Sequence, residues 1–297
     1  MTISVITNNM ASARADSIIK NIPVGMGPNN IAYNSANNNM YVTNPESNTI
    51  SIIGGSSNSV ISDISVSWPD GIAFNPSNNY LYVTHLSDYS STSFVYVIDS
   101  FTNKVVDTVS VGIGPENVEY NSANNNMYVI NVISNTVSVI DSSTNTVIKT
   151  ISVGQSPWSI AFNPSNNYLY VTNADSDTVS IIDGSSNTVV DTLAGFSAPR
   201  GIAFNPSNNY LYVTNAGSNS VSIISTTIPL PEQLKTVSDL IKGIIQNPLD
   251  ITTSMDSANH IKDILTDVNQ DNDNLACNLI DELDNDQTDN ILKILSC

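Results

Sequence analysis

The sequence predicts an all-β fold, a β-propeller of five four-stranded blades, followed by a small α-helical C-terminal segment. Three observations predict it. The wording Asn163-Pro-Ser-Asn-Asn-Tyr-Leu-Tyr-Val-Thr-Asn173 returns at 75–83 and 205–215, with looser copies at 34–44 and 121–131. Its equivalent tyrosines, Tyr41, Tyr82, Tyr128, Tyr170 and Tyr212, are spaced by 41, 46, 42 and 42 residues, a period that belongs to solenoids and propellers. Second, charged residues make up only 12% of the chain, and Asn, Ser and Thr supply the polar surface; these are turn formers and strand-compatible hydroxyls. Third, the central strand of each repeat is apolar or aromatic on both faces, with Leu169 and Val171 on one and Tyr168 and Tyr170 on the other. A sandwich would leave one face wet, whereas stacked blades cover both.

The copy at 157–194 shows the expected elements in order. Ser159–Phe162 reads as strand A, and Asn163–Asn167 as a turn whose proline suits its fixed φ. Tyr168–Thr172 reads as strand B, Thr178–Ile182 as strand C and Thr188–Leu193 as strand D, with a Gly-containing hairpin at 183–187 between the last two. The tyrosines are expected to pack between blades, their phenol oxygens finding partners at the edges.

Strand A begins five times, at Asn30, Gly71, Asn117, Ser159 and Gly201. The last copy stops after strand C, at Ser222–Ser225. Its missing piece is found at the other end, where Ser17-Ile-Ile-Lys-Asn-Ile-Pro-Val-Gly25 matches Thr146-Val-Ile-Lys-Thr-Ile-Ser-Val-Gly154. The expectation is that this N-terminal strand completes the last blade and closes the ring, since closure removes an open edge. Ile3–Ile6 resembles a strand C that closure leaves over; it is either a spare outer strand or a sign of a ring opened in mid-blade.

The Tyr-Val-Thr-Asn cores at 41–44, 170–173 and 212–215, the Gly-x-x-Pro or related turn before strand A, and Ser-Val-Ile-Asp at 138–141 together resemble the YVTN-type β-propeller repeat family. The resemblance covers about residues 1–225. It implies the fold, and it implies a surface-layer-like or secreted protein of archaeal or bacterial kind. Seven blades are common in such proteins, and this chain departs from that count.

Residues 226–297 switch to helical periodicity, with Leu234, Val237, Leu240, Ile241, Ile244 and Ile245 recurring before Asn247-Pro248, and with further helical runs beyond them. The chain therefore divides into a propeller, 1–225, and an acidic α-helical module, 226–297. The wording at 272–278 resembles a small module at the ends of archaeal extracellular proteins. Both cysteines, Cys277 and Cys297, lie here, and one potential pair fixes neither a disulfide nor a redox compartment.

A net charge of −18 repels phosphate backbones and anionic lipid, so no nucleic-acid partner is expected. Residues 1–225 and 226–297 each carry net −9. No run reaches the length of a membrane span, so no transmembrane segment is expected. The N-terminus has neither the basic nor the apolar region of a signal peptide. Localisation is thus extracellular or cell-surface on the resemblance alone, with a cytoplasmic protein as the alternative. Asn75, Asn163 and Asn205 are followed by proline, which removes the only sequon-like triplets.

Function should lie where the copies disagree. Strands alternate in direction, so the D–A and B–C loops share one end of the blades. The residue after the D–A proline differs in every copy: Asn29, Asp70, Glu116, Trp158 and Arg200. These positions should ring the mouth of the central channel as a mixed recognition surface for a protein or carbohydrate ligand. Glu119 stands where the other A strands carry Ala32, Ala73, Ala161 and Ala203, and is expected to point into the channel. His85 replaces the motif Asn at the start of a longer B–C loop holding Asp88 and Tyr89.

Catalytic signatures are missing from the sequence: it holds no nucleophile triad, phosphate loop or dinucleotide fingerprint. Two histidines give no zinc spacing. Asp267, Asn269, Asp271 and Asp273 copy the odd positions of a calcium loop, but Asn272 and Asn278 stand where Gly and Glu belong, so Ca²⁺ is an incomplete match and no cofactor is expected. The leading reading is a non-enzymatic interaction scaffold. The alternative is a lyase- or lactonase-like propeller enzyme whose acids at the channel mouth hold a divalent cation.

Overall fold

The structure, a computed structural model, describes residues 18–85 and 93–226. The chain divides into two compact units, Met1–Ser225 and Thr226–Cys297, and every described strand belongs to the first. The helical reading of 226–297, the calcium-like loop, the cysteines, Ile3–Ile6, Asp88 and Tyr89 all lie outside the described residues.

The described strands number nineteen. Blade 1 contains β1 (Ile31–Asn34), β2 (Asn39–Asn44), β3 (Thr49–Gly54) and β4 (Ser59–Ser65). Blade 2 contains β5 (Pro69–Asn75), β6 (Tyr80–His85), β7 (Phe94–Asp99) and β8 (Lys104–Ser110). Blade 3 contains β9 (Pro115–Asn121), β10 (Asn126–Asn131), β11 (Thr136–Asp141) and β12 (Thr146–Ser152). Blade 4 contains β13 (Pro157–Asn163), β14 (Tyr168–Asn173), β15 (Thr178–Asp183) and β16 (Thr188–Ala194). Blade 5 contains β17 (Pro199–Asn205), β18 (Tyr210–Asn215) and β19 (Ser220–Ser225). Each blade is an antiparallel meander in chain order. No described helix is long and apolar enough to cross a membrane.

The repeated wording is accounted for atom by atom. In every A–B turn the first Asn accepts the backbone N–H two residues on, as Asn75 Oδ1 does from Ser77 at 2.8 Å and Asn163 Oδ1 from Ser165 at 2.9 Å. The fourth residue, such as Asn78 or Asn166, accepts the N–H of the first B-strand residue and donates its amide to the second tyrosine of that strand. The fifth, such as Asn79 or Asn167, sits at φ near +60°, a region that Asn enters more easily than other side chains.

Strand A of each blade lies beside strand A of the next, β1 by β5, β5 by β9, β9 by β13 and β13 by β17, while the D strands touch sparingly. The blades therefore fan outward from an inner row of A strands. Four apolar clusters fill the four seams between them. In each, the blade before contributes a B-strand tyrosine and alternate C-strand residues, such as Tyr128, Val137 and Val139. The blade after contributes the other face, such as Ile160, Leu169, Val171 and Ile182.

The tyrosine hydroxyl crosses the seam. Tyr41 reaches Asn103 Oδ1 at 3.2 Å, Tyr82 reaches Asn145 Oδ1 at 2.9 Å, and Tyr128 reaches Asn187 Oδ1 at 2.5 Å. The inter-blade role read from the sequence is therefore the one observed.

Among the described residues, ring closure by the N-terminal strand is not observed. Residues 18–24 form no strand, and blade 5 has three strands in its sheet. β1 and β17 do not pack as successive A strands do. The physical reason is reach: β1 and β17 do not meet as neighbouring inner strands do, so residues 18–24, with Lys20 Nζ donating to the Asn58 carbonyl at 2.6 Å, have no described strand edge to pair with. A matching sequence specifies a strand, but only a partner edge within reach makes one.

Candidate functional site

The five D–A turns end in Pro28, Pro69, Pro115, Pro157 and Pro199, each delivering the next residue to the head of an inner strand. The residue before that proline has positive φ in all five turns: Gly27 and Gly114, then Trp68, Ser156 and Ala198. This sharp turn carries the chain from the outer edge of one blade to the inner edge of the next.

The heads of the five inner strands border one half-open cavity of about 410 Å³, lined by Asn29 and Asn30, Asp70, Glu116 and Asn117, Trp158 and Ser159, and Gly201. Four of the five positions singled out by repeat divergence thus line a single space. The fifth, Arg200, reaches it through Trp158, its guanidinium lying 4.6 Å from the indole ring centre.

Sequence reasoning missed what fixes these residues. The Thr that follows Tyr-Val in strand B donates across the seam to the backbone carbonyl of the next blade's variable residue: Thr43 to Asp70 at 2.8 Å, Thr84 to Glu116 at 3.1 Å, and Thr172 to Arg200 at 2.6 Å. The signal was present, since blade 3 alone reads Tyr-Val-Ile-Asn. Ile130 stands there, and the carbonyl of Trp158 in the following blade receives no such bond.

One side of the cavity is acidic. Asp70 is buried, and burial pushes its carboxyl up, with the amide of Asn29 donating to it and pulling part of the way back. Glu116 is pushed up to about 7, first by burial and then by the charge of Asp70 beside it. At neutral pH the pair therefore shares its charge unequally, with Glu116 partly protonated. The other side is aromatic and cationic, from Trp158 and Arg200, and amides of Asn29, Asn30 and Asn117 lie at the rim. Such a lining hydrogen-bonds hydroxyl or amine groups on one side and offers the stacked indole and guanidinium on the other.

Glu119 is not in this site. It is half-buried in β9 and does not line the cavity. Its carboxylate accepts the backbone N–H of Phe162 in the next blade's inner strand, and burial raises its pKa to about 7. Glu119 pairs with Tyr128 across the ladder, and opposed residues share a sheet face; that face looks into the seam rather than the channel.

His85 is likewise a packing residue. It pairs with Pro69 at the same end of blade 2 as Asp70, but its ring stacks on Phe94 at 4.4 Å and meets Tyr96 edge-on at 6.0 Å. In the other blades the motif Asn donates to a Ser two positions into strand C, as Asn131 does to Ser138 and Asn173 to Ser180. Blade 2 replaces that polar triad with an aromatic one, and burial lowers the His85 pKa. Among the described residues no group of three or more His, Cys, Asp and Glu is arranged to hold a metal ion.

Residues 116–227 match the family model of the YNCE-like beta-propeller. Among solved structures, Kuenenia stuttgartiensis hydrazine synthase aligns with a TM-score of 0.60 at 20% identity, over 71% of this chain and 67% of that one. A functionally unknown protein from Desulfotomaculum acetoxidans DSM 771 aligns with a TM-score of 0.57 at 17% identity, over 68% and 70%. The chain is a β-propeller repeat protein. No curated protein matches it. At these identities the likeness concerns the fold of the propeller, and its chemistry has to be argued from the cavity itself.

Proposed function

We propose that the propeller is a non-enzymatic binding scaffold at or outside the cell surface, taking a glycan or protein ligand in the cavity at the heads of its inner strands. One observation carries this reading: the positions after the D–A prolines, which differ in every repeat, converge on one space, while the residues that repeat are consumed by turns and seams. The lining also suits a polyhydroxylated or amine-bearing ligand, with carboxyl and amide groups opposite an indole. The surface-layer-like character, and a docking or spacing role for residues 226–297, rest on sequence resemblance and belong to the same proposal.

A glycan and protein array probed with the full chain tests it. The expected result is a signal that Trp158→Ala abolishes while the melting temperature stays within a few degrees. Arrays that are blank, or a signal indifferent to Trp158→Ala and Asp70→Asn alike, would remove the reading. One observation favours the enzymatic alternative, a lyase- or lactonase-like site holding a divalent cation: Glu116 is poised near neutrality beside Asp70. Calorimetric titration with Ca²⁺ separates the two, since stoichiometric binding lost in Glu116→Ala supports the enzyme.

A further inference from the structure

The two ends of the arc are the two halves of one seam. In every internal seam the leading blade presents an A-strand residue, the B-strand Tyr and two C-strand apolar residues, and the next blade covers them. In blade 5 the same set is Ala203, Tyr212, Val221 and Ile223. Among the described residues no blade follows, and Val221 is 57% and Ile223 61% exposed, where their counterparts Val137 and Val139 are 0%. Blade 1 presents the complementary face to solvent: Ile31 is 59% and Tyr33 52% exposed, where their counterparts in blade 4, Ile160 and Phe162, are packed into the seam.

The polar contacts are halved in the same way. Tyr128 bonds its own Asn124 and also reaches Gly184 and Asn187 of the following blade. Tyr212 bonds its own Asn208, and the residues matching Gly184 and Asn187 are Gly55 and Asn58 of blade 1. Thr172 anchors the carbonyl of Arg200 across its seam, whereas Thr214 bonds Gly201 of its own blade. The matching carbonyl at the other end belongs to Asn29.

The strand edge completes the pattern. The Gly25 and Met26 N–H groups donate to Ser51 and Ser47 of blade 1 as those of Gly112 and Ile113 donate to Ser138 and Ser134 of blade 3. Residues 18–24 thus leave blade 1 at the point where the D strand of a preceding blade arrives, yet among the described residues they pair with no strand, and Ile18 and Ile19 are exposed. Among the described residues the sheet of blade 5 is β17, β18 and β19 in order.

We propose that a second copy of this chain is the occupant: blade 5 of one molecule packs on blade 1 of the next. Continuity with the four seams already built identifies that occupant, since each bare face is half of a contact the chain makes four times. An apolar face left bare at the end of a repeat array favours association. The contact is heterologous, head to tail, so it propagates unless rotation closes it.

Sedimentation equilibrium of the full chain across the micromolar range, with Ile223→Asp and Tyr33→Asp, tests the proposal. Both side chains are exposed in the single molecule, so neither change should impair folding. The wild type is expected to gain mass with concentration. Each variant alone should stay monomeric, its dissociation constant raised at least about 100-fold by a carboxylate forced into an apolar layer. An equimolar mixture of the two should form a 1:1 dimer and stop, because each retains one good end. Three outcomes would overturn it. A wild type that stays monomeric means the faces are covered within one chain, by ring closure or by residues 227–297. Self-association that survives in either variant means the contact is not head to tail, and a mixture that stays monomeric means the two faces do not meet.

Discussion

Replacing Tyr128 by Phe removes one oxygen from the middle of the seam between blades 3 and 4 and leaves the ring in place. The side chain is fully buried. Its hydroxyl accepts from Asn124 Nδ2 at 2.9 Å and lies 2.5 Å from Asn187 Oδ1, to which it donates. The Phe variant forfeits two hydrogen bonds and leaves a buried acceptor short of a partner, a loss of roughly 2–3 kcal/mol. In a domain of this size each kcal/mol lowers the melting temperature by about 2–4 °C, so the drop should be about 4–12 °C, accompanied by a lower urea midpoint.

The matched control is Tyr212→Phe, whose hydroxyl contacts Asn208 on its own blade at 2.9 Å in an exposed setting. It should cost less than about 1 kcal/mol, measured at a concentration where the chain is monomeric. Equal losses for the two variants in the monomer would refute the reasoning, because they would mean that Tyr212 also spans a seam and that the arc is not open.

Glu119→Gln should reveal a pH-dependent stabilisation. The folded pKa, about 7, lies above the ordinary value of 4.5, so the stability contributed by the protonated form is complete below about 4.5 and is lost as pH rises through about 7. The neutral amide keeps an acceptor for the Phe162 N–H, and unfolding curves should show it more stable than wild type by about 1–3 kcal/mol at pH 8 and nearly equal at pH 5; a pH-independent difference counts against the assignment. Gly71→Ala would drive a methyl group into the Glu116 carbonyl oxygen in the next inner strand, whereas at Gly201 the nearest atom is Thr214 Oγ1 at 3.4 Å. The first should cost about 1–3 kcal/mol by overpacking and the second almost nothing, as read by thermal unfolding. Thr84→Val removes the hydroxyl that accepts the Gly71 N–H at 2.7 Å and donates to the Glu116 carbonyl at 3.1 Å. It should cost about 1–2 kcal/mol and, under the binding proposal, weaken ligand capture by moving Glu116; wild-type stability and affinity would disprove the anchoring role.

The positions at the cavity were legible because repeats provide an internal comparison. Asn29, Asp70, Glu116, Trp158 and Arg200 differ where everything around them recurs, and the prolines before them place each at the head of an inner strand. Glu119 and His85 part from expectation for a common reason. The sequence marks each as a departure from the repeat, but a departure does not say which way a side chain faces. Pairing with Tyr128 turns Glu119 into the seam, and the replacement of a Thr and a Ser by Phe94 and Tyr96 turns His85 into part of an aromatic cluster.

What the sequence by itself determined is everything local and periodic: the five-fold recurrence, the meander of strands, the Asn-rich turns with their positive φ, and the residues free to vary. These follow from steric and hydrogen-bonding rules acting within one repeat, and each repeat states them again. What only the tertiary structure decided is everything that depends on two repeats meeting. The matching wording at 17–25 promised a closed ring, but strand pairing needs an edge within reach, and β1 and β17 do not meet as neighbouring inner strands do. The cavity, the coupling of Asp70 to Glu116, the Arg200–Trp158 stack and the two bare faces all arise at such meetings, where distance in space has no counterpart in distance along the chain.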